Sequence, residues 1–237
     1  MTSLPPTHRA LLQEVYGEPL LVKDLPTPQA TSGSAVLKIL CSPTISYMRD
    51  VYNGKRQYPY SAPIVPGTSA IARVAAVGSD ATFLQPGELV YFDCMIHSRD
   101  DYDDAILIGL AQGGTESSKK MMEGGGGMGR LRTINSTHIS AGIQSWKRNG
   151  RVALIGGLQD DISIPHRFIM RYDMTLKGKW MYSREERMAF LSLFTSGVLN
   201  VRDLIEVVAE HRLEDWEEAF QVAWDHGRFG QLGVFKP

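Results

Sequence analysis

The order of apolar and polar residues gives the first hundred positions a β-rich pattern. Apolar, β-branched runs predict strands over Ala35–Ser42, Ile71–Gly78 and Glu88–Cys94, and the Pro86-Gly87 turn introduces the last of them. Short strands at this spacing are typical of a small barrel or sandwich. The first part of the chain is therefore expected to be a compact β domain.

The last hundred residues alternate between helical and strand patterns. Three apolar runs predict strands over Arg151–Gly157, Thr175–Trp180 and Gln231–Pro237. Three helices are predicted, over His138–Arg148, from the capping box at Ser183 to about Gly197, and over Leu213–His226. In the last of these, five apolar residues share one face that is expected to pack in the core: Trp216, Ala219, Phe220, Ala223 and Trp224. This half is expected to be α/β.

A glycine run separates the two patterns. Gly124 to Gly127 are consecutive, and Met128 and Gly129 follow them. Four glycines in a row do not hold regular structure cheaply, so a linker or loop is predicted here.

Charge and cysteine content exclude several classes of protein. Lys and Arg total 25 against 26 Asp and Glu, a net charge of −1, which gives no bulk attraction to nucleic acid or to an anionic membrane. Two cysteines, Cys41 and Cys94, are too few for a disulfide scaffold or a four-cysteine zinc site. No apolar run reaches 18 residues and no secretory leader is visible, so a cytoplasmic protein is expected.

Motifs in both halves carry a family likeness. The stretch Pro66–Ser79, followed by Pro86–Val90, resembles the PGxxxxGxVxxVGS and PGDxV pattern of the medium-chain dehydrogenase/reductase superfamily. Lys147–Gly157, Thr175–Gly178 and Leu213–Phe220 look like the late strands and last helix of the same superfamily. Their order along one chain makes the match specific.

The resemblance implies a mixed α+β fold in three parts. Residues 1–123 are expected to form a GroES-like β-barrel substrate domain, and residues 124–135 a Gly-rich junction. Residues 136–237 would form a truncated Rossmann-like α/β segment that returns to the first domain. A complete member needs on the order of 120 further residues for its nucleotide-binding half, so most of that half is expected to be missing.

Zinc is not expected. By the superfamily's spacing, Ile45 stands at the position of the first catalytic cysteine ligand, and a two-residue shift would place Tyr47 there instead. Thr68 stands where the histidine of Gly-His-Glu is expected. None of these residues is a plausible ligand, and catalytic zinc needs three close N, S or O ligands. The resemblance therefore narrows to the zinc-free reductase branch.

The sequence carries only part of a predicted nucleotide-binding site. NADPH is the cofactor that the resemblance implies, and Gly156, Gly157 and Lys179 match positions that contact its nicotinamide end. The strand, glycine loop and apolar helix that hold the pyrophosphate are not found. NADPH binding is therefore expected to be impaired or lost.

The candidate catalytic residues lie in one short stretch. Tyr47 matches the hydroxyl that relays a proton in zinc-dependent members, and a phenol can protonate an enolate or carbonyl oxygen. Tyr52 and Asp50 are the further candidates. The alternative is that both tyrosines pack beside a loop and that Asp50 is a solvated charge or a neighbour of Arg49.

Three functions remain open. The first is a zinc-independent reductase acting on a small hydrophobic, polyketide-like enone or carbonyl. The second is a cofactor-independent isomerase, cyclase or lyase of specialised metabolism that uses the old substrate cleft, and the third is a non-catalytic remnant. A homodimer is expected in each case, because half a doubly wound sheet leaves strand Thr175–Trp180 at an unpaired edge.

Overall fold

The computed structural model describes residues 4–56, 58, 60, 62–97, 105–109, 143–155, 163–179 and 181–237. The chain divides into two compact units. The first combines Met1–Arg130 with Leu204–Pro237, and the second is Leu131–Asp203. The Gly-rich junction 124–135 and most of the helix predicted from His138 lie outside the described residues.

Strands dominate the first unit. They are β1 (Thr7–Leu12), β2 (Leu21–Pro26), β3 (Ala35–Thr44), β4 (Ala70–Val77), β5 (Leu89–Phe92), β6 (Met95–His97) and β7 (Ala105–Leu107). The returning segment of the chain supplies β10 (Glu206–His211) and β11 (Gln231–Phe235). Among its described residues, the α-helices of this unit are the short α1 (Met48–Tyr52) and α4 (Trp216–Asp225).

A five-stranded sheet joins the N-terminal and C-terminal parts of the first unit. Its order is β10-β11-β3-β4-β5, parallel between β10 and β11 and antiparallel elsewhere. The join is made by Gly233, Val234 and Phe235, which pair with Thr44, Pro43 and Ser42. The last strand of the chain is therefore held beside the strand that leads into α1.

Helix α4 covers this sheet and places α1 beside it. Ala219, Phe220 and Ala223 are at most 5% exposed, as the apolar face predicted for this helix requires. Phe220 packs edge-on against Phe235 of β11, with ring centroids 6.2 Å apart, and stacks on Tyr52 of α1 at 5.9 Å. The core thus extends from the sheet through α4 to α1.

A buried amide fixes the other side of α1. The Gln13 side chain is fully buried, and its Nε2 donates to the carbonyl oxygens of Glu18 at 2.7 Å and Tyr52 at 2.6 Å. Its Oε1 accepts from the Tyr60 hydroxyl at 2.8 Å. Both amide donors and the amide oxygen of this one side chain are thus used to tie the β1–β2 connection to α1.

The second unit is built on two parallel strands. β8 (Arg151–Ile155) pairs in parallel with β9 (Thr175–Lys179), so that Arg151 lies opposite Thr175. Between them comes α2 (His166–Arg171), and after them α3 (Arg184–Thr195). A crossover helix between parallel strands is the βαβ arrangement expected of a Rossmann-like segment.

The predicted elements are largely confirmed, with shifts at their ends. The strands predicted from Ala35, Ile71 and Glu88 correspond to β3, β4 and β5, and those predicted from Arg151, Thr175 and Gln231 to β8, β9 and β11. The capping box opens α3 at Ser183, and the last predicted helix is α4 preceded by a 3-10 turn. The mixed α/β fold class is confirmed. Among the described residues, none of the helices combines the length and apolar character needed to cross a bilayer.

Candidate functional site

Tyr47 is the residue that immediately precedes α1. Its carbonyl oxygen accepts from the backbone N–H groups of Asp50 and Val51, both at 3.1 Å, which begins the first turn of the helix. Its side chain is half-buried. The backbone of Tyr47 is therefore set by α1, while its phenol is free to contact residues beyond the helix.

The phenol of Tyr47 is paired with a second phenol. Its ring stacks on that of Tyr58 with centroids 5.8 Å apart and planes 16° from parallel. The guanidinium carbon of Arg56 lies 4.2 Å from the centroid of Tyr47 and 5.4 Å from that of Tyr58. We call Tyr47, Tyr58 and Arg56 the phenol cluster.

The surroundings of the cluster keep Tyr47 protonated. Burial raises the pKa of its phenol, and the neighbouring Tyr58 raises it further, while the positive charge of Arg56 acts in the opposite direction. A phenol with a raised pKa stays protonated across the neutral range. The positive charge of Arg56 would stabilise the phenolate left after proton transfer.

Tyr52 has different partners. Its side chain is 3% exposed, and its hydroxyl donates to the carbonyl of Gly109 at 3.0 Å and accepts from the backbone N–H of Gly67 at 3.3 Å. Burial raises its pKa to about 12. The structure therefore does not bring the Tyr52 hydroxyl to the phenol cluster, and these contacts favour a packing role for it.

Asp50 lies beside Arg49, as one of the sequence interpretations has it. Arg49 Nε is 3.3 Å from Asp50 Oδ1. The same guanidinium donates through Nη1 to Gln221 Oε1 at 2.9 Å, and its central carbon lies 4.1 Å from the centroid of the Trp224 ring. The carboxylate therefore neutralises a cation that also links α1 to α4. The catalytic role of Asp50 stays a prediction that these contacts do not favour.

A cleft opens on the side of α1 that carries Arg49. Its volume is about 330 Å³, and its lining includes Leu20, Arg49, Tyr52, Trp216, Phe220 and Gln221. That volume is at the lower end of the range of small-molecule sites. Tyr47 and Tyr58 are not part of the lining, so this cleft is separate from the phenol cluster.

The positions that the resemblance assigned to zinc ligands do not fit zinc. Ile45 and Thr68 offer no nitrogen, sulfur or carboxylate donor, and Thr68 is buried. In the part of the chain that the structure describes, no three His, Cys, Asp or Glu side chains come together in a way that suits a metal ion. Ile45 and Thr68 are therefore not ligands for a catalytic zinc ion.

Lys179 is already paired. Its Nζ lies 2.7 Å from Glu186 Oε2, at the start of α3, and both side chains are more than one third exposed. The other predicted cofactor contacts, Gly156 and Gly157, lie outside the described residues. Lys179 therefore has a carboxylate partner within its own unit, and its contact with NADPH stays a prediction.

Two members of the phenol cluster, Arg56 and Tyr58, were not predicted from the sequence. The available signal was the density of aromatic and cationic residues between Tyr52 and Tyr60. A loop of this composition has no periodicity, so the pattern of apolar residues gives no weight to it. Stacking of the guanidinium on the rings becomes visible only in the fold.

The sequence has no match among protein-family models and none among curated proteins. Many solved structures nevertheless share its fold. A short chain alcohol dehydrogenase from E. coli CFT073, complexed with NADH, is 10% identical with a TM-score of 0.76, over 98% of this chain and 100% of that one. The 2R,3R-butanediol dehydrogenase from Bacillus subtilis is 14% identical with a TM-score of 0.73, over 97% and 99%. A thermostable alcohol dehydrogenase from Pyrobaculum aerophilum is 12% identical with a TM-score of 0.69, over 97% and 99%.

At such identities these likenesses establish the fold alone. The chain shares the fold of these alcohol dehydrogenases, as the resemblance of its sequence motifs implied. The positions of individual site residues do not follow from it, because one fold supports many reactions. The reaction that this chain supports therefore depends on the chemistry of the phenol cluster.

Proposed function

We propose that this chain is a zinc-independent protein of the dehydrogenase/reductase lineage that protonates a small hydrophobic, polyketide-like enone or carbonyl substrate. Its hold on NADPH would be impaired or lost. The observation that carries the proposal is the stacked phenol pair of Tyr47 and Tyr58 against the Arg56 cation. Such a group supplies acid chemistry at the first unit without help from a metal.

The step is a proton transfer from Tyr47. Its hydroxyl proton passes to the enolate or carbonyl oxygen of the substrate, which leaves a phenolate on Tyr47. The charge of Arg56 stabilises that phenolate, and a proton from solvent then restores Tyr47. A positioned acid of this kind is worth about 10²–10⁴ in rate.

A non-redox reaction is the second candidate. Isomerisation, cyclisation or elimination of an unsaturated ketone needs acid catalysis and a shaped site, and no hydride donor. The Lys179–Glu186 ion pair favours this alternative, because it occupies the cation that the resemblance assigns to the cofactor.

Two measurements separate these candidates. Calorimetric titration of the whole chain with NADPH is expected to show no binding in the micromolar range, and binding in that range would contradict the loss of the cofactor. Turnover of a small cyclic enone is expected to fall by about 10²–10⁴ in Tyr47→Phe. If Tyr47→Phe turns over at the wild-type rate, the proton-donor role is wrong.

We also propose a homodimer formed through the edge of the β8–β9 sheet. Among the described residues no strand pairs with the outer edge of β9, and an open edge is a template for a second copy. A cytoplasmic location is proposed as well, since neither Cys41 nor Cys94 forms a disulfide. No nucleic acid or membrane partner is proposed.

A further inference from the structure

Arg56 carries a charge that no acidic side chain among the described residues neutralises. None of the ion pairs between described residues involves it, although its side chain is half-buried. By contrast, Arg49, seven positions earlier, has Asp50 as its partner. A partly desolvated guanidinium without a carboxylate is costly unless another group compensates for it.

The aromatic rings compensate for only part of this cost. The contact with Tyr47 and Tyr58 attracts the positive charge but satisfies none of the five N–H donors of the guanidinium. The backbone of Arg56 is held in place, since its N–H donates to the carbonyl of Asp50 at 2.6 Å. The side chain is therefore a positioned cation with donors to spare.

The neighbouring phenols add further donors. The hydroxyl groups of Tyr47 and Tyr58 each carry one O–H that can donate to a bound group. A planar guanidinium beside a phenol O–H matches a group with two oxygens that share one negative charge. Neutral carbonyl compounds use only part of this arrangement.

We propose that the phenol cluster binds a delocalised oxyanion, either a carboxylate or an ionised enol of the substrate. The inference deepens the proposed function, because it names the substrate class of the same site: acidic 1,3-dicarbonyl compounds or small carboxylic acids in place of simple ketones. The oxyanion lies against Arg56 and accepts a hydrogen bond from a phenol O–H.

Three probes of similar size test the proposal by binding alone. The whole chain is titrated near neutral pH with 1,3-cyclohexanedione, which is ionised there, with benzoate, and with cyclohexanone as the uncharged control. At least one of the two anions is expected to bind about tenfold or more tightly than cyclohexanone, as a charged hydrogen bond requires. Tighter binding of the dione indicates an enol, and tighter binding of benzoate a carboxylate. Equal binding of all three probes, or binding of none, overturns the proposal.

Matched variants locate the site. Arg56→Gln is expected to abolish the preference for the anions, and Lys55→Gln, the same loss of charge at the exposed neighbouring residue, to leave it intact. Arg56→Lys keeps the charge but loses the planar fork, so a several-fold weaker preference is expected, and this variant serves if Arg56→Gln does not fold. If the preference survives in both Arg56 variants, the assignment is wrong. Since binding is measured without turnover, an inactive but selectively binding protein would refute the proposed function and leave this inference standing.

Discussion

The hydroxyl of Tyr52 joins two loops that are far apart in the sequence. It bridges the carbonyl of Gly109 and the N–H of Gly67, and an added Cβ at Gly109 would lie 2.1 Å from the Gly67 carbonyl oxygen. The two backbones are thus closely packed beside the phenol. Removing the oxygen leaves a buried carbonyl without its donor.

Tyr52→Phe is therefore expected to lower the free energy of unfolding by about 1–3 kcal/mol. Urea unfolding followed by circular dichroism measures the change, and Tyr91→Phe on β5, where the side chain is 53% exposed, is the control with little effect. A folded Tyr52→Phe with unchanged stability but strongly reduced turnover would instead support the catalytic role first predicted for this residue.

Buried phenols also set the response of this unit to alkaline pH. Burial raises the pKa of Tyr52 from 10.0 to about 12, and burial also raises the pKa values of Tyr47 and Tyr60. The folded state holds these protons more tightly than the unfolded state. The stabilisation is therefore complete below about pH 10 and is lost as the pH rises toward about 12. Urea midpoints measured from neutral to alkaline pH are expected to fall above pH 10, with a shallower fall in a Tyr52→Phe/Tyr60→Phe double variant. Identical slopes for the two proteins would contradict this account.

At the scale of elements, α3 shows how one local signal fixes a helix start. Ser183 Oγ accepts from the Glu186 N–H at 3.1 Å, and Glu186 Oε2 accepts from the Ser183 N–H at 2.7 Å. The same carboxylate binds Lys179, which is the main cause of its lowered pKa. One glutamate therefore ties the start of α3 to the end of β9.

Ser183→Ala is expected to destabilise the second unit by about 1 kcal/mol, because the N–H of Glu186 loses its acceptor. Ser192→Ala, the same substitution inside α3, is the control, and it is expected to have little effect or to stabilise the helix. Hydrogen exchange of the α3 amides measures both. Equal exchange rates in the two variants would show that the capping box contributes nothing.

Local signals also explain which elements the sequence predicted. The capping box at Ser183 and the apolar face of α4 are contained within one segment, and both predictions hold. Helix α1 was missed because five residues, Met48–Tyr52, are too few to show a helical period. The prediction for Trp224 was wrong in the other direction. Its spacing places it on the core face of the helix, but its side chain is 46% exposed and its ring contacts the Arg49 guanidinium.

Of the three residues in the phenol cluster, the sequence singled out only Tyr47. Tyr47 was singled out because the superfamily's spacing points to its position, and its ring contacts Tyr58 and Arg56, while its catalytic role stays a prediction. Arg56 and Tyr58 complete that cluster through ring contacts that no pattern of apolar residues encodes. Gln13 is similar: its buried amide links three segments, and nothing near it in the sequence marks it.

For the whole molecule, the open edge of β9 determines how copies of the chain are expected to associate. The N–H of Thr175 donates to the carbonyl of Gly150, on the side of β8, at 3.0 Å. Successive backbone N–H groups of a strand point to opposite sides. The N–H of Lys177 therefore also points toward β8, and the N–H groups of Leu176 and Gly178 point toward the free edge. The residues that would pair with a second copy can therefore be told from those that hold the monomer together.

Gly178→Pro is expected to convert the dimer into a folded monomer, since proline removes an N–H that only a partner strand would use. An added Cβ at Gly178 meets nothing within 4 Å, so there is room for a side chain at this position. Gly178→Ala keeps the N–H and should remain dimeric, whereas Lys177→Pro should unfold the β8–β9 pair.

Light scattering over a range of concentrations gives the mass of each variant, and circular dichroism shows whether it is folded. A wild-type monomer at all concentrations, or a Gly178→Pro dimer as stable as the wild type, would show that β9 is not the interface.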